Sequence, residues 1–350
     1  MQSESFHACF ASDNCAPVCP EAMEALRQAN SGCDFSYGED RWTAEAAALI
    51  GAIFETDAEV FFVFNGTAGN ALSLGALCRP HSSVICHESA HIENDECGAP
   101  VFFTQGARLC TGGGADGKLT PDTVIALAKK RSDVHFHTPA ALSLTQATEF
   151  GTVYTREELS ALGGAAKHLG LRVHMDGARF ANAVVSLGVK PREVANDCDV
   201  DVLVFGGTKN GLALGEVIVF FNKALAEEFG FRRKQGGQLA SKMRFLSAPW
   251  VGVLKDGAWL RHAEHANRCA ELLALNVSEI SEVRITQPRQ ANAVFISMSD
   301  DIAGRLRKKG WHFHYFIGSG GYRFMCSWHT TEKMIEAIVT DLKNCLIKKP

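Results

Sequence analysis

The sequence predicts an α/β fold, a mostly parallel sheet sandwiched by helices, with a smaller α+β domain at the C-terminal end. Three observations predict it. Short runs rich in Val, Ile and Phe alternate with helical stretches between about residues 55 and 221. Most of these runs lack a polar–apolar alternation, as strands covered on both faces do. Helix-boundary signals lie between them. Thr155 and Glu158 form a T-x-x-E capping box, Leu159, Leu162, Ala166 and Leu169 recur at helical spacing, and Gly170 closes the turn.

Taken in order, the strands are expected at Val60–Phe64, Ser83–Cys86, Val134–His137, Leu171–Met175, Val200–Phe205 and Val217–Phe221. Strand and helix in alternation place the helices on both faces of one sheet. Beyond about residue 240 the pattern changes. A long helix is expected near Trp259–Leu275, strands at Val283–Ile285 and Ala293–Ser297, and a polar helix near Asp300–Lys309. A strand near Tyr322–Ser327 and a closing helix from Thr331 follow. We expect a large domain over 1–245, N-terminal segment included, and a small one over 246–350, divided near Ala248-Pro249-Trp250. At ~150 residues per domain, 350 residues suit two.

Composition narrows the function classes. Hydrophobic residues are 46% and charged residues 21%, which excludes a disordered chain or a coiled-coil rod. With 35 Lys+Arg against 39 Asp+Glu, the net charge of −4 argues against a nucleic-acid partner. No apolar run approaches the ~18–20 residues of a membrane span, so no membrane partner is expected. Met1–His7 lacks the basic start and apolar stretch of a leader. The 12 cysteines are dispersed with no C-x-x-C pair, which suits reduced thiols and a cytoplasmic setting. Cys15 and Cys19 are close, but no second pair of ligands accompanies them, so no metal is expected.

Three segments carry candidate chemistry. Asn65-Gly66-Thr67-Ala68-Gly69-Asn70 lies between a strand and an apolar helix. Free N–H groups and the positive dipole end there suit an anion such as phosphate, and Thr67 adds a hydroxyl. The spacing is neither G-x-G-x-x-G nor a P-loop, and an ordinary tight turn would look the same. Asp176 ends an apolar strand, followed by Gly177-Ala178-Arg179. The carboxyl ends of strands line the crevice of α/β sheets, where an Asp can hold a cationic ring nitrogen and an Arg a carboxylate. An N-cap Asp beside a surface Arg is the alternative. Lys209 sits in Gly206-Gly207-Thr208-Lys209-Asn210-Gly211, after another buried strand. A lysine there can form a Schiff base, or be a loop lysine. Together, an anion cradle, a strand-end Asp and, 33 residues later, a strand-end Lys are the parts that pyridoxal phosphate needs.

In these segments the chain resembles the fold-type-I pyridoxal phosphate enzymes, specifically the L-threonine aldolases of the β-eliminating lyase family. Further matching pieces are Ser12-Asp13-Asn14, Tyr37-Gly38-Glu39-Asp40, Ala90-His91-Ile92, Asn182-Ala183 and Tyr322-Arg323-Phe324. The resemblance implies Lys209 as the Schiff-base lysine and Asp176 as the partner of the ring nitrogen. It implies Gly66, Thr67 and Thr208 at the phosphate, and His91 stacked on the ring. Arg179 and Arg323 would grip the substrate carboxylate, and Ser12 and Tyr37 would line the site. The stretch Leu142–Glu149 departs from the family's Glu-Asn-Thr-His-Asn, and Gln146 is expected where a histidine meets the substrate hydroxyl. The implied activity is cleavage of L-β-hydroxy-α-amino acids to glycine and an aldehyde, by a homodimer or homotetramer with sites at the interface. β-Elimination or transamination on the same scaffold is the alternative, because cofactor motifs do not separate them.

Overall fold

The computed structural model describes residues 9–346, and the Met1–His7 stretch read for a leader lies outside them. The apolar runs build a seven-stranded sheet from β1 (Glu59–Val63), β2 (Ser82–His87), β3 (Arg108–Gly112), β4 (Thr138–Thr145), β5 (Arg172–Gly177), β6 (Val202–Phe205) and β7 (Glu216–Phe220). The strand order is β1-β7-β6-β5-β4-β2-β3. β7 runs antiparallel to both neighbours, and every other pairing is parallel. Parallel neighbours require crossovers, and these place helices on both faces.

Alternation along β6 shows the two faces. Leu203 and Phe205 enter one core with Phe54, Leu159, Met175 and Trp250. Val202 and Val204 enter the other with Leu72, from the helix Gly66–Leu77, and Phe229. Thr155 and Glu158 close both hydrogen bonds of a capping box on the helix Arg156–His168, whose Leu159, Leu162, Gly163 and Ala166 are buried.

A second, antiparallel sheet follows, with β8 (Arg284–Ile285), β9 (Ala293–Ser297), β10 (His314–Phe316) and β11 (Gly321–Met325) in the order β10-β11-β9-β8. Val294, Ile296 and Phe324 pack under the helices Ala258–Ser278, Asp300–Lys308 and Glu332–Leu346.

Four elements differ from expectation. Val134–His137 is not a strand: Val134 is 96% exposed, and β4 begins at Thr138. β4 opens on Thr138-Pro139, and its register to β2 breaks around Ala140, where a bulge removes the ladder bond that proline cannot donate. β3 and β10 are short and partly exposed, with too little apolar pattern to mark them. The helix Arg244–Lys255 runs through 245/246 and buries Leu246, Trp250 and Leu254 in the first core. Residues up to Ala263 join that core and residues from Cys269 join the second, so we propose a division inside the helix Ala258–Ser278.

The N-terminal segment reaches both cores. Phe10 lies in the second core, donates its N–H to His312 O at 2.9 Å and accepts that of Met325 at 2.8 Å. Nine residues on, Cys19 donates its N–H to Gly211 O at 2.8 Å, beside the Lys209 turn.

Candidate active site

A cavity of about 410 Å³ opens at the C-terminal ends of β4, β5 and β6. One wall is the first turn of the helix Gly66–Leu77, capped by Asn65, whose side chain accepts the Ala68 N–H at 2.9 Å. Gly66 and Thr67 line this wall and Thr208 faces the same space. Gly69 sits so close to β6 that a Cβ would lie 2.6 Å from Val204, and one on Gly206 would lie 2.5 Å from Ala178 O. The helix therefore seats its Gly69 backbone on the Val204 side chain, and the loop at Gly206 meets the Ala178 backbone.

Asp176 is buried at the floor. Its Oδ1 accepts the Ala178 N–H at 2.9 Å and its Oδ2 the Asn70 amide at 2.9 Å. Burial opposes ionisation, yet the charges of His91 and Lys209 and these hydrogen bonds hold its carboxyl below the usual range. The same Asn70 amide donates to Glu96 Oε1 at 2.8 Å, which also meets His91 Nδ1 at 2.9 Å. That bond to Glu96 raises the His91 pKa, and burial raises that of Glu96.

Lys209 lies in the short turn Thr208–Asn210, which follows β6 and is anchored by the Asn210 amide on Trp259 O at 2.7 Å. Burial, helped by the positive Arg179, pushes its ammonium below the ordinary lysine value. Glu216 accepts the Gly207 N–H and lines the cavity, and burial pushes its carboxyl up to about 7.

Gly66, Thr67, His91, Asp176, Arg179, Thr208 and Lys209 thus share one cavity, drawn from more than 140 residues of chain. The other expected residues stand differently. Gln146 turns away: its amide donates to Tyr154 O at 2.9 Å and accepts the Tyr154 N–H at 3.0 Å, fully buried. Thr145, Ala147 and Glu149 line the cavity in its place. Ser12 caps the turn Asp13–Cys15 by accepting the Asn14 N–H, and Asn14 reaches the cavity. Tyr37 is 47% exposed on a separate surface, with Lys234 Nζ 4.9 Å from its ring centre.

The two arginines divide their work. Arg179 forks onto Asp13, Nε to Oδ2 at 2.7 Å and Nη2 to Oδ1 at 2.9 Å, so its guanidinium is already paired. Arg323 donates to Ala11 O at 3.3 Å and lies over the Phe316 ring, while its Nε is buried without a partner. Burial and the charge of Arg179 push it down to about 10, the signature of a guanidinium short of an anion.

Asp13, Asn70, Glu149 and Glu216 were not assigned roles from sequence. The first two fall inside matching segments, but their contacts to Arg179 and Asp176 span 166 and 106 residues.

Two groups of metal-type donors form among the described residues: His91, Glu96 and Asp176, and Cys19, Glu21 and His262, each with donor atoms within 4.8 Å. In the first, Asn70 already bridges both carboxyl groups. In the second, Glu21 meets His262 at 3.5 Å.

Known proteins resemble this chain in sequence and in fold. A low specificity L-threonine aldolase of a Pseudomonas species is 55% identical over 95% of this chain and 96% of its own. That of Escherichia coli K12 is 27% identical over 81% and 82%. A solved Leishmania major threonine aldolase superposes with a TM-score of 0.90 at 27% identity, over 96% and 98%. A tryptophan decarboxylase of Catharanthus roseus, 14% identical with a TM-score of 0.76, shares the fold. The β-eliminating lyase family matches residues 10–301, and the chain belongs to that family.

Proposed function

We propose that this lyase cleaves L-β-hydroxy-α-amino acids, among them L-threonine, L-allo-threonine and L-phenylserine, to glycine and an aldehyde with pyridoxal phosphate. The observation that carries the reading is the joint burial of Lys209 and Asp176 on one cavity, opposite a capped helix N-terminus. The threonine aldolase relatives supply the substrate class.

The residues fit the cofactor. Gly66, Thr67 and Thr208 offer N–H and hydroxyl donors for a phosphate, and nothing lies within 4 Å of where a Cβ on Gly66 would stand. Asp176, held ionised, keeps a proton on a pyridine nitrogen. When bound, pyridoxal phosphate supplies the electron sink for the pair released as Cα–Cβ breaks. Lys209 loses its proton more readily than a surface lysine and serves as the nucleophilic amine. His91, braced by Glu96, offers its ring to the cofactor face. Arg323 Nε takes the substrate carboxylate, and Arg179, fixed by Asp13, shapes the wall beside it.

We further propose a homodimer or homotetramer with shared sites. Phe35 and Phe231 are 72% and 80% exposed, and Phe231 lines one surface with Tyr37 and Lys234. Light scattering that returns a monomer would refute the assembly. A cytoplasmic setting is proposed on the absence of any disulfide among the 12 cysteines. No helix among the described residues is long and apolar enough to cross a membrane.

The deciding experiment is product analysis. With L-threonine and no added metal or nicotinamide, the protein releases glycine and acetaldehyde in equal amounts, and D-threonine is inert. Release of 2-oxobutyrate and ammonia without glycine overturns the aldolase reading in favour of elimination.

A further inference from the structure

β4 and the segment after it present alternate residues to the cavity: Thr145, Ala147 and Glu149 face it, and Gln146 does not. The ionisable group that this segment contributes to the cavity is the Glu149 carboxyl. Its Oε1 accepts the backbone N–H of His91 at 2.9 Å. Its Oε2 is buried with no hydrogen-bond partner. A carboxylate oxygen sealed from water and given no donor is costly, and a proton on it or a hydroxyl donor from a ligand removes the cost.

Its charged surroundings come from several elements. Asp176 on β5 and Arg179 just beyond it face it, with Tyr154 and the Cys86 thiol on β2 further round. The nearby Thr145 hydroxyl favours its ionised form slightly, and His91, Glu96 and Lys209 line the same cavity. Burial, with the negative Asp176 adding to it, pushes the Glu149 carboxyl up to about 7. It therefore changes charge where a general acid–base group is most effective.

Resting on the aldolase reading above, we propose that Glu149 is the catalytic acid–base group at the substrate's β-oxygen. The β-hydroxyl proton passes to Glu149 Oε2, and the O–H electron pair becomes the second carbon–oxygen bond of the aldehyde. The Cα–Cβ pair stays with Cα, which receives one proton to complete glycine. One proton leaves oxygen and one reaches carbon, so none is consumed. In the reverse direction the protonated acid delivers its proton to the forming hydroxyl.

Glu149→Gln tests this, because glutamine keeps the Oε1 acceptor for the His91 N–H and removes the titration. In the wild type, without substrate, infrared difference spectra show protonated-carboxyl absorption that titrates near neutral pH, from Glu149 and Glu216, and the variant loses the Glu149 share while keeping that of Glu216. Exchange of the glycine α-hydrogen with D2O, which does not involve a β-oxygen, stays within about threefold. Threonine cleavage falls ~10²–10⁴-fold, and the acid limb of the kcat/KM profile near pH 7 disappears. Glu149→Asp, still ionisable, restores the limb.

Cleavage retained within tenfold with its acid limb overturns the proposal, as does failure of Glu149→Asp to restore the limb. Equal loss of glycine exchange and cleavage also overturns it, because Glu149 is then structural. If the wild type itself releases no glycine from threonine, the aldolase reading fails instead, while the infrared titration and glycine exchange still report on Glu149.

Discussion

The Asp176 carboxylate is held by one backbone N–H and one Asn70 amide N–H, and neither bond depends on a ligand. Its charge, rather than its shape, is what a protonated ring nitrogen needs. Asp176→Asn keeps the size and loses the charge, at ~1.5–3 kcal/mol of selective stabilisation, or about one to two decades of turnover. Cofactor binding, read by visible absorbance, weakens less, and an unchanged turnover number refutes the role. Arg323→Lys keeps charge but loses the fork, so the apparent affinity for amino acid falls while the cofactor spectrum holds. Release of cofactor or unfolding would make Arg323 structural. At this scale the sequence is legible where chemistry is unusual for its place. A lysine among three glycines and an aspartate on an apolar strand announce themselves. Glu149 and Glu216 do not, because a carboxyl becomes unusual only once burial removes its water, and burial is tertiary.

The element scale explains the error at Gln146. Gln146 and Ala147 form the bend just beyond β4, where neighbouring side chains turn to different sides, so a one-residue slip in assigning a motif exchanges the side that meets the cavity for the side that meets the core. Gln146 is of the right kind and in the right segment but on the wrong side of it. The strand itself was misplaced because Val134-His135-Phe136-His137 has the better β composition, while β4 starts at a proline and owes its place to β2 and β5 on either side. Helix boundaries read better, since a capping box is local. The helix Arg156–His168 offers a direct test of close approach. Gly163 and Gly164 are adjacent, but a Cβ on Gly163 would lie 2.3 Å from Cys198 O and one on Gly164 meets nothing within 4 Å. Gly163→Ala should destabilise by ~1–3 kcal/mol through overpacking. Gly164→Ala should stabilise by ~0.5–1 kcal/mol through helix propensity. Urea unfolding measures both, and shifts of the same sign would refute the packing argument.

For the whole molecule, the change in pattern near residue 240 precedes the second, antiparallel sheet, whereas the helix Arg244–Lys255 still packs into a core formed by residues far earlier in the chain. Global stability carries a mark of the buried site. His174, two residues before Asp176, bonds Ser143 at 2.9 Å, and burial pushes it down to about 4 from 6.5. Between those values the unfolded chain binds a proton that the folded chain refuses. The stabilisation from neutral His174 is present above pH 6.5 and is lost as the pH falls through about 4, up to ~3 kcal/mol. Glu149 and Glu216, raised from 4.5 to about 7, act with the opposite sign and lose their contribution as the pH rises through 7. The difference between wild type and His174→Gln isolates the first effect. The wild-type advantage in urea unfolding should shrink from pH 7 to pH 4, and a gap independent of pH would refute it.

The segment from Phe10 to Cys19 works as a drawstring. One end is stitched into the antiparallel sheet, the other into the lysine turn, and between them Asp13 neutralises Arg179. A shortened version of this protein that begins after residue 13 would therefore lose more than a tail. It would leave a buried guanidinium without its counter-charge, release the knot between the two units and repel the neighbouring Arg323, so that a routine trimming for expression would act at the site itself.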